Sequence, residues 1–291
     1  MKNNEIEKIL SDEGSRKVVQ YFSSLESRFC YTYLLGGAMH FGYYPTESTD
    51  ITEKKAQYLF NELVAENLKI KKDDYILDAG CGQGVVSAHL AKKYNCRIVG
   101  INIIPFQVAK AKILAKRESV EDKVQYRLMD YSDTDFENET FDAVYTTESL
   151  SHAADLEKTL KEFMRILKPK GRVALFEYTI AQDGQFDEYE KKMLDAIIEG
   201  AAMMSLKQFR HDTFPEFLGK IGFTGIREQN ISSHMAPSLA RLHRILAPLY
   251  FIVRFFNAQR LFPNIAASHE YYKMAKKGLI RYCIFTANKP A

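Results

Sequence analysis

The sequence predicts an α/β protein: a seven-stranded, mostly parallel sheet with helices on both faces, an N-terminal helical cap and a helical insert before the last strand. Three observations predict it. From Asp74 onward short apolar runs alternate with amphipathic helical stretches, the rhythm of βαβ units. A glycine-rich turn, Gly80-Cys81-Gly82-Gln83-Gly84, stands between the first such run and the first such helix. On either side of this zone the apolar spacing is helical.

Residues 1–68 read as the cap. Ile6, Ile9 and Leu10, then Val18, Val19, Phe22 and Leu25, then Tyr58, Leu59, Leu63 and Val64 recur at helical spacing. Between them, residues 36–45 form an aromatic loop punctuated by Gly and Pro, suited to plain turns and equally to covering a ligand. The core covers 69–232. Its strands are expected at 75–77, 97–101, 124–129, 141–146, 173–178 and 225–231. Its helices are expected at 85–94, through Val108, Ala111, Leu114 and Ala115, and at 156–167, 188–204 and 213–221. Lys168-Pro169-Lys170-Gly171 and Gly222 supply stop signals. Residues 233–277 read as the helical insert, and 278–291 carry the last strand, 282–287.

The chain has 291 residues, 46% hydrophobic and 26% charged, with a formal net charge of +3. That apolar share fills a core and excludes general disorder. The near-neutral balance argues against a nucleic-acid partner, whose footprint is strongly basic. The average conceals a segregation: residues 234–277 hold seven Lys and Arg against the single acid Glu270, net +6, and leave the rest of the chain at −3. Four scattered cysteines without a CxxC pair point to neither a disulfide scaffold nor a metal site. The first seven residues carry acids rather than the apolar core of a signal peptide. The longest apolar run, 245–253, is far shorter than the about 20 residues of a membrane span. A cytoplasmic protein with reduced thiols is expected.

The glycine turn follows a strand and opens a helix, the place where backbone N–H groups meet a ligand. Gly80, Gly82 and Gly84 alternate, whereas a dinucleotide fingerprint, GxGxxG, places its third glycine one residue later. Asp78 stands two residues before the first glycine; an acid there repels a pyrophosphate but tolerates the ammonium and sulfonium of S-adenosylmethionine. The DxGxGxG pattern is that of S-adenosylmethionine-dependent methyltransferases with a Rossmann-like sheet. Asn102, ending the second strand, replaces the usual acid, and its amide can also hydrogen-bond a ribose diol. Asp130 follows the third strand, either as an acceptor for the adenine amino group or as a solvated loop acid.

Three segments together resemble the sterol side-chain methyltransferases and their prenyl- and lipid-C-methylating relatives, within the class I S-adenosylmethionine-dependent methyltransferases. They are Val99-Gly100-Ile101-Asn102 with Gln107, Phe141 through Ala153, and His40-Phe41-Gly42-Tyr43-Tyr44. The resemblance covers roughly residues 20–180 and is looser beyond. It implies that Asp78, Gly80, Gly82 and Gly84 cradle the methionine moiety and ribose, with Asn102 and Gln107 at the ribose edge. Asp130 and Tyr131 would frame the adenine, Thr147 would line the cofactor, and Tyr43 would close over it. Glu148 and His152, with His40, are the catalytic candidates. A helix starting after strand four would set Glu148 and His152 on one face; alternatively they are a polar pair at a helix start.

For a hydroxyl or amine nucleophile, His152 would act as general base. For an alkene, aromatic faces would hold a cation and Glu148 or a histidine would remove the final proton. The expected acceptor is a hydrophobic small molecule (sterol, isoprenoid, polyketide-lipid or quinone-like), most simply methylated on carbon. O- or N-methylation of a small metabolite is the alternative, and a non-catalytic lipid-binding protein with a retained cofactor fold is another. Amine methylation of bases is disfavoured, because Thr147-Glu148-Ser149-Leu150 stands where such enzymes carry an Asn/Asp-Pro-Pro-aromatic loop. The insert reads either as a packed helical cap or as a lid. In the second case Arg241, Arg244, Tyr250 and Phe255 would meet the substrate, an anionic head group or a membrane surface. A homodimer is compatible with the N-terminal helices.

Overall fold

The computed structural model describes residues 2–45 and 50–291. Three short helices open the chain, α1 (Lys2–Ser11), α2 (Glu13–Ser23) and α3 (Leu25–Phe29), continued by a wide π turn at Cys30–Leu34. Asp12 caps α2 by accepting from the Ser15 N–H, as a short acid before a helix does. After the aromatic loop comes α4 (Glu53–Leu68). The described residues up to Leu68 are thus chiefly helical, apart from turns and loop at 35–45 and 50–52; Met1 and residues 46–49 lie outside the described residues.

The core then alternates β1 (Tyr75–Ala79), α5 (Val85–Tyr94), β2 (Arg97–Asn102), α6 (Pro105–Glu118), β3 (Val124–Leu128), β4 (Phe141–Thr147), α7 (Leu156–Ile166), β5 (Leu167–Ile180), α8 (Glu188–Gly200), α9 (Phe214–Ile221) and β6 (Thr224–Asn230). Two helices, α10 (Ser232–Phe255) and α11 (Pro263–Lys276), precede β7 (Ile280–Asn288). The seven strands form one sheet in the order β3-β2-β1-β4-β5-β7-β6. The first five are mutually parallel, and β7 runs antiparallel to both β5 and β6.

The chain winds outward from β1 to β3 on one side and from β4 to β6 on the other. The strand order therefore reverses between β1 and β4, where Leu77 pairs with Val144. Their carboxyl ends splay apart at such a reversal and leave a crevice. Ile76, Leu77 and Ala79 are fully buried, as expected for a parallel strand with helices on both faces.

Two boundaries differ from the sequence expectation. The helix expected to reach Met204 stops at Gly200, where a Cβ would come within 2.6 Å of the Arg260 carbonyl oxygen; the α10–α11 connection passes too close for the helix to continue. The stop signal after α7 is real, but β5 begins directly at Leu167 and absorbs it. The insert is an antiparallel helix pair, with α11 packed on α8 and α10 packed on α11. Together with α2, these helices stand over the carboxyl ends of the strands.

Candidate active site

Beneath the helical cap lies a cavity whose floor is the turn after β1. Gly80 has φ +91° and a Cβ there would sit 2.5 Å from the Ser149 Cβ, so only glycine lets the turn lie against the segment after β4. Gly80 and Gly82 both line the cavity. Gly84 does not: its φ is +80° and a Cβ would meet the Tyr126 ring at 2.6 Å, while the Tyr126 hydroxyl donates to the Gly84 carbonyl at 3.0 Å. Its role is to let α5 start against β3, which corrects the expectation that all three glycines cradle a ligand. Asp78 also lies off the cavity. Its carboxyl sits under the turn facing the Tyr145 and Ser87 hydroxyls, neither oxygen is hydrogen-bonded, and burial pushes it up to about 7.

One wall assembles the remaining expected cofactor residues. The Asn102 amide donates to the Gln107 side-chain oxygen at 2.7 Å and accepts the Ile104 N–H at 3.2 Å, so the two amides are locked to each other at the end of β2. Asp130 accepts from the Ser15 hydroxyl at 3.0 Å and from the Ser132 N–H at 2.8 Å. Tyr131 donates to the Ser149 carbonyl at 2.9 Å. These four and Thr147 all line the cavity. The residues fit S-adenosylmethionine: a cradle that a Cβ would fill, amides for a diol, and an acid beside an aromatic ring.

The opposite wall carries Glu148. It has φ +53°, a left-handed conformation that costs a non-glycine residue about 1 kcal/mol or more and turns its side chain into the cavity. Its carboxyl accepts from the Tyr178 hydroxyl at 2.9 Å, the Tyr282 hydroxyl at 3.1 Å and the Phe41 N–H at 3.3 Å. Burial outweighs these three donors and raises it to about 7. His152 follows on a single 3-10 turn, Leu150–His152. Glu148 and His152 therefore share the cavity but not a helix face, correcting the expected i, i+4 arrangement. The His152 ring lies 5.9 Å from Tyr21, stacked, and 5.1 Å from Phe22, edge-on. Its Nδ1 is 3.1 Å from the Ala202 carbonyl, which makes Nδ1–H the donor and leaves Nε2 unprotonated. Burial lowers its pKa to about 4.

Glu177, in the middle of β5, escaped sequence reading. Its Oε1 accepts the Ser149 and Leu150 N–H groups at 2.7 and 2.6 Å, fixing the turn that carries Glu148 and His152. The Ser149 hydroxyl in turn donates to the Ala79 carbonyl at 2.8 Å, linking the same turn to the glycine floor. Burial raises Glu177 to about 8, with the Glu148 charge adding to the shift. An acid inside the apolar run Val173–Tyr178 was the available signal. Glu177→Ala is expected to cost about 2–4 kcal/mol by stranding two buried donors and to weaken cofactor binding. Glu177→Gln, which keeps an acceptor oxygen, restores both. Thermal denaturation and calorimetry read this, and an alanine variant indistinguishable from wild type in both refutes it.

Other expected site residues lie elsewhere. His40 is buried outside the cavity, stacked on Phe60 at 4.4 Å, with Nδ1 2.8 Å from its neighbour's carbonyl at Phe41. Tyr43 stacks on His234 of α10 at 4.7 Å and closes over nothing; Met39 and Phe41 reach the cavity instead. Arg241 donates to the Leu34 carbonyl at 3.1 Å, Arg244 and Phe255 face solvent, and Tyr250 is fully buried against His269 at 3.9 Å. From the lid helices, Leu239 and Leu242 of α10 and Tyr271 of α11 line the cavity. A heptad-like apolar pattern does not say which of its members face inward; docking does.

Residues 77–175 match the family model described as a methyltransferase domain. The chain is 29% identical over 287 residues to an S-adenosyl-L-methionine-dependent Diels-Alderase of Talaromyces variabilis, covering 96% of this chain and 97% of that protein. It is 29% identical over 222 residues to a sterol 24-C-methyltransferase of Clavispora lusitaniae, covering 74% of this chain but only 58% of that enzyme. The solved cyclopropane synthase of Mycobacterium tuberculosis superposes with a TM-score of 0.76 at 18% identity, over 96% of this chain and 99% of that one.

Proposed function

Because the chain belongs to the class I S-adenosylmethionine-dependent methyltransferases, we propose that it methylates a carbon atom of a hydrophobic small molecule of sterol, isoprenoid, polyketide-lipid or quinone-like character. The observation that carries this reading is Glu148: a buried carboxyl poised near neutrality, aimed into a cavity shared with the glycine turn and lined by aromatic rings. S-adenosylmethionine supplies an electrophilic methyl on a sulfonium and a neutral thioether leaving group. Gly80 and Gly82 give the backbone room for its methionine end, Asn102 and Gln107 hold the ribose hydroxyls, and Asp130 and Tyr131 frame the adenine.

The protein aligns an acceptor alkene and excludes water from it. When the new carbon–carbon bond leaves a cation on the acceptor, the faces of Phe41 and Tyr178 stabilise it. Glu148 then takes the proton from the adjacent carbon, and that C–H electron pair restores a double bond. Oxygen or nitrogen acceptors fit less well, because a His152 held near 4 is a weak base for a hydroxyl or ammonium proton.

Among the described residues no Lys or Arg lines the cavity, whereas Asp130 and Glu148 do. The part of the substrate that enters is therefore uncharged or cationic. An anionic head group stays at the mouth, and a peripheral membrane contact or a homodimer acts from outside the cavity. A second reading has its own support: one relative matched over 96% of this chain is a Diels-Alderase, so the same cavity could fold a polyene for cycloaddition with the cofactor retained. Incubating the protein with methyl-labelled cofactor and a lipid extract distinguishes them. A labelled apolar product with stoichiometric demethylated cofactor is expected, and cyclised product without demethylated cofactor gives the second reading.

A further inference from the structure

Helix α10 is apolar on two sides. Leu242, Leu246, Tyr250 and Val253 are buried, packed with Cys30 and Ile265. On the other side Ile245, Leu249, Ile252, Phe255 and Phe256 are exposed. At about 100° per residue these five fall within an arc of about 120°, its centre turned about 120° around the helix from that of the buried set. Phe255 is 83% exposed and Phe256 71%, and the connection to α11 adds Leu261 at 75%. Water-facing aromatic and aliphatic side chains in one contiguous stripe mark a surface with a partner.

Charge identifies the partner. Residues 241–262 contain four arginines and no acid. Arg244 is exposed with no ion pair among the described residues, Arg254 lies over the Tyr189 ring, and Arg260 meets Glu199 at the surface. A second copy docked by this face through a two-fold axis would set arginines against arginines with no carboxylate in the segment to receive them. An anionic bilayer surface matches both features, taking aromatic side chains at the acyl boundary and guanidinium groups at the phosphates. No helix among the described residues is long and apolar enough to cross a membrane, so the contact lies in the plane of the surface.

We propose that the outward face of α10, with Leu261 and Phe262, seats the protein on an anionic lipid surface. Leu239 and Leu242 of the same helix line the cavity, so α10 stands between the lipid and the site. This gives an apolar substrate a route that avoids water. The purpose of the contact rests on the proposed lipid-like substrate; the contact itself is read without turnover.

The test is co-sedimentation of the full chain with phosphatidylcholine vesicles, with and without phosphatidylserine, at low and high salt, alongside calorimetry with S-adenosylmethionine. Binding that requires phosphatidylserine and falls with salt is expected. Phe255→Glu combined with Phe256→Glu should weaken it at least about tenfold, and Arg244→Ser with Arg254→Ser should remove most of its salt dependence. Cofactor binding should be unchanged in both, since no altered residue touches the cavity. Wild-type protein left in the supernatant with every vesicle overturns the proposal, as does equal binding by the Phe variant. So does a wild-type dimer that this variant makes monomeric. Lost cofactor binding in the wild type instead refutes the proposed activity and leaves the lipid contact standing.

Discussion

Glu148→Gln lowers turnover by about 10²–10⁴-fold, the span of general-base contributions, while cofactor affinity stays within about twofold. Glutamine keeps the shape and, with its oxygen at the Oε1 position, the acceptor for the Tyr282 hydroxyl and the Phe41 N–H, while its NH2 can donate to the Tyr178 hydroxyl; it cannot accept the substrate proton. Titration sharpens the expectation. The ionised carboxylate is the base, so with Glu148 raised to about 7 the wild-type kcat/KM falls about tenfold per pH unit below neutrality and levels off above it. The stability effect has the opposite sign. A carboxyl whose folded pKa is raised contributes its stability fully below the unfolded value near 4.5 and loses it as pH rises through 7. The Gln variant, which never ionises, should thus be more stable than wild type at pH 8, by up to about 3 kcal/mol. Initial rates and denaturant titrations across pH check both; a variant with full activity removes Glu148 from the chemistry.

Gly80→Ala and Gly84→Ala are expected to fail in different ways although their motif treats them alike. At Gly80 the new methyl enters the cavity floor and meets Ser149. The turn must give way where the cofactor lies, so binding weakens by at least about 100-fold, or roughly 3 kcal/mol. At Gly84 the methyl meets the Tyr126 ring and the Ala111 Cβ inside the α5–α6–β3 core. Overpacking and a left-handed alanine together cost about 2–4 kcal/mol of stability, while the folded fraction binds cofactor within about threefold of wild type. Calorimetry at low temperature separates binding from unfolding. Equal loss of affinity in both variants would return Gly84 to the binding site.

Much of the site was legible because the residues after β1, β2, β3 and β4 all emerge at one edge once the sheet is parallel. Gly80, Asn102, Asp130 and Thr147 are far apart in sequence, yet strand alternation alone brings them together. His40 and Tyr43 were misassigned for a physical reason. An aromatic loop can present any of its members to a ligand, and here Phe60 and His234 captured those two rings. Met39 and Phe41 were left facing the cavity. Glu148 and His152 both line the cavity, but not on the expected helix face, since Glu148 is left-handed and the Glu177 carboxylate accepts the next two N–H groups.

Local pattern by itself determined the seven strands, the helices between them and the cofactor class, because hydrophobic period and glycine spacing are properties of a few adjacent residues. The basic, apolar character of 234–277 was likewise visible at once. Which face of α10 is buried, which glycines line the cavity and which acid is aimed into it were decided only by the tertiary structure. Each depends on contacts between residues far apart in sequence, such as Tyr282 with Glu148, 134 positions apart, or Arg241 with Leu34, 207 apart. An apolar helix with two equivalent faces carries no local preference for either; burial of Leu242 and Leu246 against Cys30 and Ile265 made the choice and left Phe255 and Phe256 in water.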